Sequence, residues 1–190
     1  MFDLLIQHIQ EKVHLTTEET VRLEDYFTVK KLRRKQYLLQ EGEVCKHMAF
    51  VAKGVLKSYV IDEKGVENIN FIGWEGWWMA DSYSFFTGEE GVLNIDALEE
   101  VELLLISKED YDRIVIDMPV MSNYFRILYE RSLANKDRRI LSNIAYNAEE
   151  KYAQIITCYP DLVNRIPQHL LASYLGLTPE TVSRIKKKMK

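Results

Sequence analysis

The sequence is poor in the residues that staple a chain or hold a metal. Two cysteines, Cys45 and Cys158, occur in 190 residues and form no CxxC pair. A four-cysteine iron–sulfur cluster is therefore excluded, and the two thiols fit a reducing compartment better than a disulfide framework. The four histidines are His8, His14, His47 and His169, and only His47 falls in a strand-like region. This argues against a cupin-like enzyme, which gathers several histidines on facing strands. No Gly-x-Ser-x-Gly, phosphate-loop or HExxH pattern appears, so an enzyme is not expected. Cys45 and His47 remain as lone candidates for a haem ligand; residues so placed are ordinarily just packed or exposed, and no cofactor is expected. There is no apolar run of about 18 residues to span a membrane. The start, MFDLLIQHIQEK, turns charged too soon for a secretory signal, and the cytoplasm is the expected location.

What is present is a globular composition, 47% hydrophobic and 28% charged, with an uneven charge. The net charge is −4. From Arg165 onward six basic residues face Glu180 alone, giving +5 and leaving −9 for the rest. Such a separation repels a polyanion from the body and draws it to the tail. A lysine-rich end that merely complements a helix dipole is the plainer alternative.

Apolar spacing predicts a helix from Phe2 to about Val13. Thr16 with Glu19 forms a capping box for a second, reaching Tyr26. From Phe27 to Ile106 short strands alternate with turns: Thr28–Lys35, Gln36–Leu39, His47–Ala52, Val55–Ile61, Val66–Ile72, Leu93–Leu98 and Val101–Ile106. Close spacing of this kind predicts a sandwich or a jelly roll. A short helix is expected within Gly76–Phe86. Ser107 caps a helix over Lys108–Asp117, and Pro119 opens a long one to about Ala145. Its apolar stripe, Val120, Tyr124, Ile127, Ala134 and Leu141, adjoins a second, Met121, Phe125 and Leu128. So wide an arc must bury two sides, and a partner subunit is favoured over a helix wedged within one chain. Ala148–Cys158 is read as a further helix, with Tyr159–Arg165 as a connection.

The tail reads IPQHLLASYLGLTPETVSRIKKKMK. Pro167 suits a first helical turn, Leu170, Leu171, Tyr174 and Leu175 give a buried face, and Gly176 ends the helix. Thr178-Pro179-Glu180 restarts it, with Val182 and Ile185 facing back. This is a helix-turn-helix pattern. Its outward residues suit a DNA groove: Arg184 can donate two bonds to guanine, Glu180 can accept from cytosine, and Thr181, Lys187 and Lys188 can hold phosphates. The alternative is a helical hairpin docking a protein.

With these motifs in place the chain resembles the Crp/Fnr family of bacterial transcription regulators over nearly its whole length. LASYLGLTPETVSRI is the most specific part. The resemblance implies an α+β fold: a cyclic-nucleotide-binding-like jelly roll over 1–117, a dimerisation helix over 118–145, and a helix-turn-helix domain over 146–190. It implies a homodimer on double-stranded DNA, with Gln168, His169, Thr178, Glu180, Thr181, Ser183, Arg184, Lys187 and Lys188 at the interface. Two departures stand out. Pro179 replaces a frequent recognition-helix arginine, and the sequence stops at Lys190 without the family's β-wing. In the sensory half, GWEGWWMADSYSFF is similar to the phosphate-binding cassette. The family's Gly-Glu falls on Ala80-Asp81 and its Arg-Ser on Gly91-Val92, and no arginine lies between Arg34 and Arg113. Cyclic AMP binding is not expected. Trp78, Met79, Tyr83 and Phe85 are the candidate pocket for some other small-molecule effector; the competing reading is that they fill a barrel whose ligand has been lost. A jelly-roll ligand-binding or protein-interaction module with a degenerate helix-turn-helix is the runner-up function.

Overall fold

The computed structural model describes residues 1–189. Two amphipathic helices lead the chain, α1 (Phe2–Gln10) and α2 (Thr17–Leu23), with a 3-10 turn at Glu24–Tyr26. The Thr16 hydroxyl accepts from the Glu19 N–H at 3.2 Å while the Glu19 carboxylate accepts from the Thr16 N–H at 2.8 Å. Leu5 and Ile9 are fully buried on the helix side that meets the strands.

Eight strands follow: β1 (Thr28–Leu32), β2 (Tyr37–Leu39), β3 (His47–Lys53), β4 (Leu56–Ile61), β5 (Glu67–Gly73), β6 (Trp78–Met79), β7 (Asn94–Ala97) and β8 (Val101–Ser107). They form two antiparallel sheets, ordered β1-β8-β3-β6 and β2-β7-β4-β5, in the expected jelly-roll arrangement. Strand β1 stops at Leu32 rather than Lys35. Lys35 takes a positive φ of 66°, and the Gln36 N–H closes a turn on the Arg33 carbonyl. Strands β3 and β8 are buried along most of their length, which their unbroken apolar runs require. The two-residue β6, unforeseen in the sequence, pairs Trp78 and Met79 with Phe50 and Ala49.

Between β6 and β7 lies the short helix α3 (Ser82–Thr87). Then come α4 (Lys108–Asp117), capped by Ser107, and the 27-residue α5 (Pro119–Ala145), both at the expected limits. The C-terminal part holds α6 (Ala148–Cys158), α7 (Pro160–Arg165), α8 (Gln168–Leu175) and α9 (Pro179–Lys188). Helix α7 corrects the expected connection. Pro160 does not only end α6; it occupies the first position of a new helix, where its missing N–H costs nothing.

Two apolar cores result. One joins α1, the inner sheet faces and the first third of α5. The other packs Val55, Tyr59, Ile69 and Ile72, from the second sheet and its edge, against Tyr152, Ile155, Leu162, Ile166 and Leu170. The C-terminal helices thus rest on the outside of the jelly roll.

Candidate nucleic-acid interface

Helix α8 buries Leu170, Leu171, Ala172 and Leu175. Gly176 then takes φ +67°, a left-handed conformation that a side chain would strain, and the Leu177 N–H closes the turn on the Ala172 carbonyl at 2.9 Å. The Thr178 hydroxyl caps α9 by accepting from the Thr181 N–H at 3.2 Å. Pro167 sits just ahead of α8 rather than in its first turn. Val182 and Ile185 are buried against α6 and α8, which forces the intervening positions outward.

Pro179, Glu180, Ser183, Arg184 and Lys187 line one open concavity on α9. Glu180, Arg184 and Lys187 are exposed, and Ser183 is half-buried. Among the described residues Arg184, Lys186 and Lys187 join no ion pair, whereas Lys188 reaches Glu149 at 2.8 Å. Gln168, at the start of α8, donates to the Pro179 carbonyl at 3.0 Å and ties the two helices together. His169 is exposed beside it. Thr181 is half-buried, its hydroxyl 3.1 Å from that of Thr178.

The pair of helices is fastened to the edge of the second sheet. Ser173 donates to the Glu67 carbonyl at 3.1 Å and accepts from the Ile69 N–H at 3.0 Å, so one hydroxyl occupies two ladder positions of edge strand β5. Arg139 of α5 donates to the carbonyls of Ile69, Asn70 and Tyr174, and its guanidinium lies 4.4 Å from the Tyr174 ring centre. Arg165 forks onto Glu75 at 2.8 and 2.9 Å and also reaches Glu99. Those carboxylates raise its pKa, and the residue counted with the basic tail is spent on holding the tail in place. No sequence signal pointed to Ser173, Arg139 or Glu75; each acts only through tertiary placement.

The candidate effector residues are not brought together. Met79 and Phe85 are buried in the core, and Trp78 packs on Phe27, Phe50 and Phe125. Tyr83 is 61% exposed. Helical geometry turns positions two apart to opposite sides, so α3 sends Phe85 inward and Tyr83 outward. The Trp78 indole N–H donates to the Tyr124 hydroxyl at 2.9 Å, and that hydroxyl lies 2.8 Å from His8 Nδ1. Burial, and then the charge of Lys12, lower the His8 pKa to about 4. Neutral Nδ1 thereby accepts from Tyr124. Burial also raises the Cys45 thiol, which donates to the His47 carbonyl.

The proposed dimer stripe divides. Tyr124 is buried within its own chain, and Val120 and Ile127 pack on the jelly-roll core, so these three are spent internally. Ala134 and Leu141 are exposed. They belong to the uncovered part of α5 with Leu133, Ile140 and Ile144, the last 78% exposed.

Fold and site together define a jelly roll of cyclic-nucleotide-binding type that carries a helix-turn-helix. The family model described as the cyclic nucleotide-binding domain matches residues 29–117. The curated proteins that the chain is similar to over most of its length are named regulators. It is 26% identical to electron transport regulator A of Shewanella oneidensis, across 90% of this chain and 72% of that protein. It is 27% identical to the probable transcriptional regulator flp of Lacticaseibacillus casei, across 87% and 78%. The structure of FixK2 from Bradyrhizobium japonicum shares the fold with a TM-score of 0.74 at 19% identity, covering 86% of this chain and 84% of that one. Among the described residues no helix is long and apolar enough to cross a membrane, and no group of three or more metal-ligating side chains converges.

Proposed function

We propose that the chain is a transcription regulator that binds double-stranded DNA as a homodimer, placing α9 in the major groove. The observation that carries this reading is the outward array on α9, where Glu180 and Arg184 stand one turn apart on a helix whose opposite side is buried. Arg184 reads guanine and Glu180 accepts from cytosine. Gln168, His169, Thr178, Thr181, Ser183, Lys187 and Lys188 flank them toward the phosphates. The names of the relatives, all regulators, agree with this role and with the absence of an enzymatic one. The division at 117/118 and 145/146, a cytoplasmic location and a sensory half without cyclic AMP affinity belong to the same proposal.

The partner copy would cover the exposed face Leu133, Ile140, Leu141 and Ile144. From Tyr129 to Ala145 α5 is largely exposed, and an isolated helix of that length is marginal in water. Sedimentation of the wild type should give a dimer and of Ile144→Glu a monomer; a monomeric wild type would refute the homodimer.

The DNA reading is tested by fluorescence anisotropy on genomic fragments across a salt series. Arg184→Ala should weaken specific binding by roughly 10- to 100-fold, about 1–3 kcal/mol, and relax preference at one base pair. Equal binding by both proteins, or by neither, would end the proposal.

A further inference from the structure

We propose that the sensory cassette, residues 81–93, carries its own anion: the Asp81 carboxylate fills the place where the oxygens of an anionic ligand would be held. Asp81 follows β6 and is only 4% exposed. Its Oδ1 accepts from the Ser84 N–H at 3.2 Å. Its Oδ2 accepts from the N–H groups of Val92 at 3.1 Å and Leu93 at 3.3 Å. Three backbone donors from two separate segments therefore converge on one carboxylate. Consecutive N–H groups aimed at a point form the kind of concavity that binds phosphate oxygens, and in this chain a side chain occupies it.

Position 91 is coupled to that occupancy. A Cβ built on Gly91 would lie 2.8 Å from Asp81 Oδ2 and 3.3 Å from the Ser84 Cβ. Any side chain there would expel the carboxylate, so Asp81 and Gly91 operate as a pair. The surrounding polar groups are also engaged. Ser84 Oγ accepts from the Cys45 N–H at 2.8 Å and donates to the Glu89 carbonyl. Gly91 donates to the Glu43 carbonyl at 3.0 Å and accepts from the Gly42 N–H at 2.9 Å. The segment 88–93 is thus clamped between Asp81 and the 42–45 strand approach.

An external anion would have to displace a group that pays no association entropy, and to approach past exposed Glu43, Glu89 and Glu90. The cassette therefore holds its ordered conformation without a ligand and is closed to anionic effectors such as a cyclic nucleotide. This goes beyond the DNA-binding proposal and does not depend on it.

The test is chemical rescue, read by thermal unfolding of the full chain without DNA. Asp81→Ala should lower Tm by roughly 5–10 °C, since it strips an acceptor from three N–H groups. Formate at tens of millimolar should restore much of that loss in Asp81→Ala, beyond the effect of equal sodium chloride, and leave the wild type unmoved. Asp81→Asn, which keeps the volume and loses the charge, should be destabilised without rescue. Should Asp81→Ala fail to fold, amide exchange in Asp81→Asn decides: faster exchange at Val92 and Leu93 is expected, and wild-type protection there would overturn the proposal. A Tm for Asp81→Ala within about 2 °C of wild type, equal formate effects on both, or saturable binding of cyclic AMP to the wild type would each overturn it.

Discussion

The cassette and helix α9 treat polar groups in opposite ways. Around Asp81 the donors converge on an acceptor of the same chain, and that acceptor is buried. On α9, Glu180, Arg184 and Lys187 diverge into water from a helix whose apolar side is buried. A group already satisfied inside the fold offers a ligand nothing. An exposed charge is held only by water and mobile ions, which a phosphate backbone displaces at a gain. The direction of polar groups, not their number, separates the closed end of the molecule from the open one.

The strongest way to break this comparison is to disturb another inward cluster. Lys57 and Asp96 are 6% and 7% exposed on the second sheet. Lys57 pairs with Glu67 and lies 3.5 Å from Asp96, which also accepts from the Tyr59 hydroxyl at 3.1 Å. Burial holds the Asp96 pKa up, with the Lys57 charge opposing it. Lys57→Met leaves two carboxylates without their cation and should cost about 3–5 kcal/mol in urea unfolding. A loss under about 1 kcal/mol would mean that the inward clusters are no more committed to folding than the surface array.

Next in size is the fastening between the two ends. Ser173→Ala leaves the Ile69 N–H and the Glu67 carbonyl without their shared partner. The expected loss is roughly 1–2 kcal/mol. The Trp74–Tyr159 contact, at 4.9 Å between ring centres, spans the same junction, so near-ultraviolet dichroism should change with it. Wild-type stability and dichroism together would show that Ser173 does not join the halves.

Much of the molecule was legible because local rules and tertiary structure agree. Ser107, Pro119, Thr16 with Glu19, and Thr178 with Pro179 mark helix starts that the fold keeps. The outward placement of Glu180 and Arg184 follows from helical spacing against Val182 and Ile185. Three features were hidden for a physical reason. Tyr124 sits on the same stripe as Leu141, yet the two meet different environments, because one half of α5 lies on the core and the other leaves it. The pair at β6 is too short to show alternation. The self-filled cassette needs Asp81 and the N–H groups of Val92 and Leu93 to meet across eleven and twelve positions, which composition cannot report.

The smallest expected effect concerns a proton. His8 bridges α1 to Tyr124 and Trp78, and it stays neutral because burial, followed by the Lys12 charge, lowers its pKa to about 4. In the unfolded chain an imidazole titrates near 6.5. Between those values the unfolded chain takes up a proton that the folded chain refuses, so stability must fall as pH drops from about 6.5 toward 4 and stay level above that window. His8 is only half-buried, which trims the change to a few degrees in Tm. His8→Asn should be less stable at neutral pH and lose its own share of the acid slope, since asparagine cannot titrate. An unchanged slope in that variant would place the acid sensitivity on other groups, and the bond from Tyr124 to His8 would then be a contact that the fold tolerates rather than one it protects from protons.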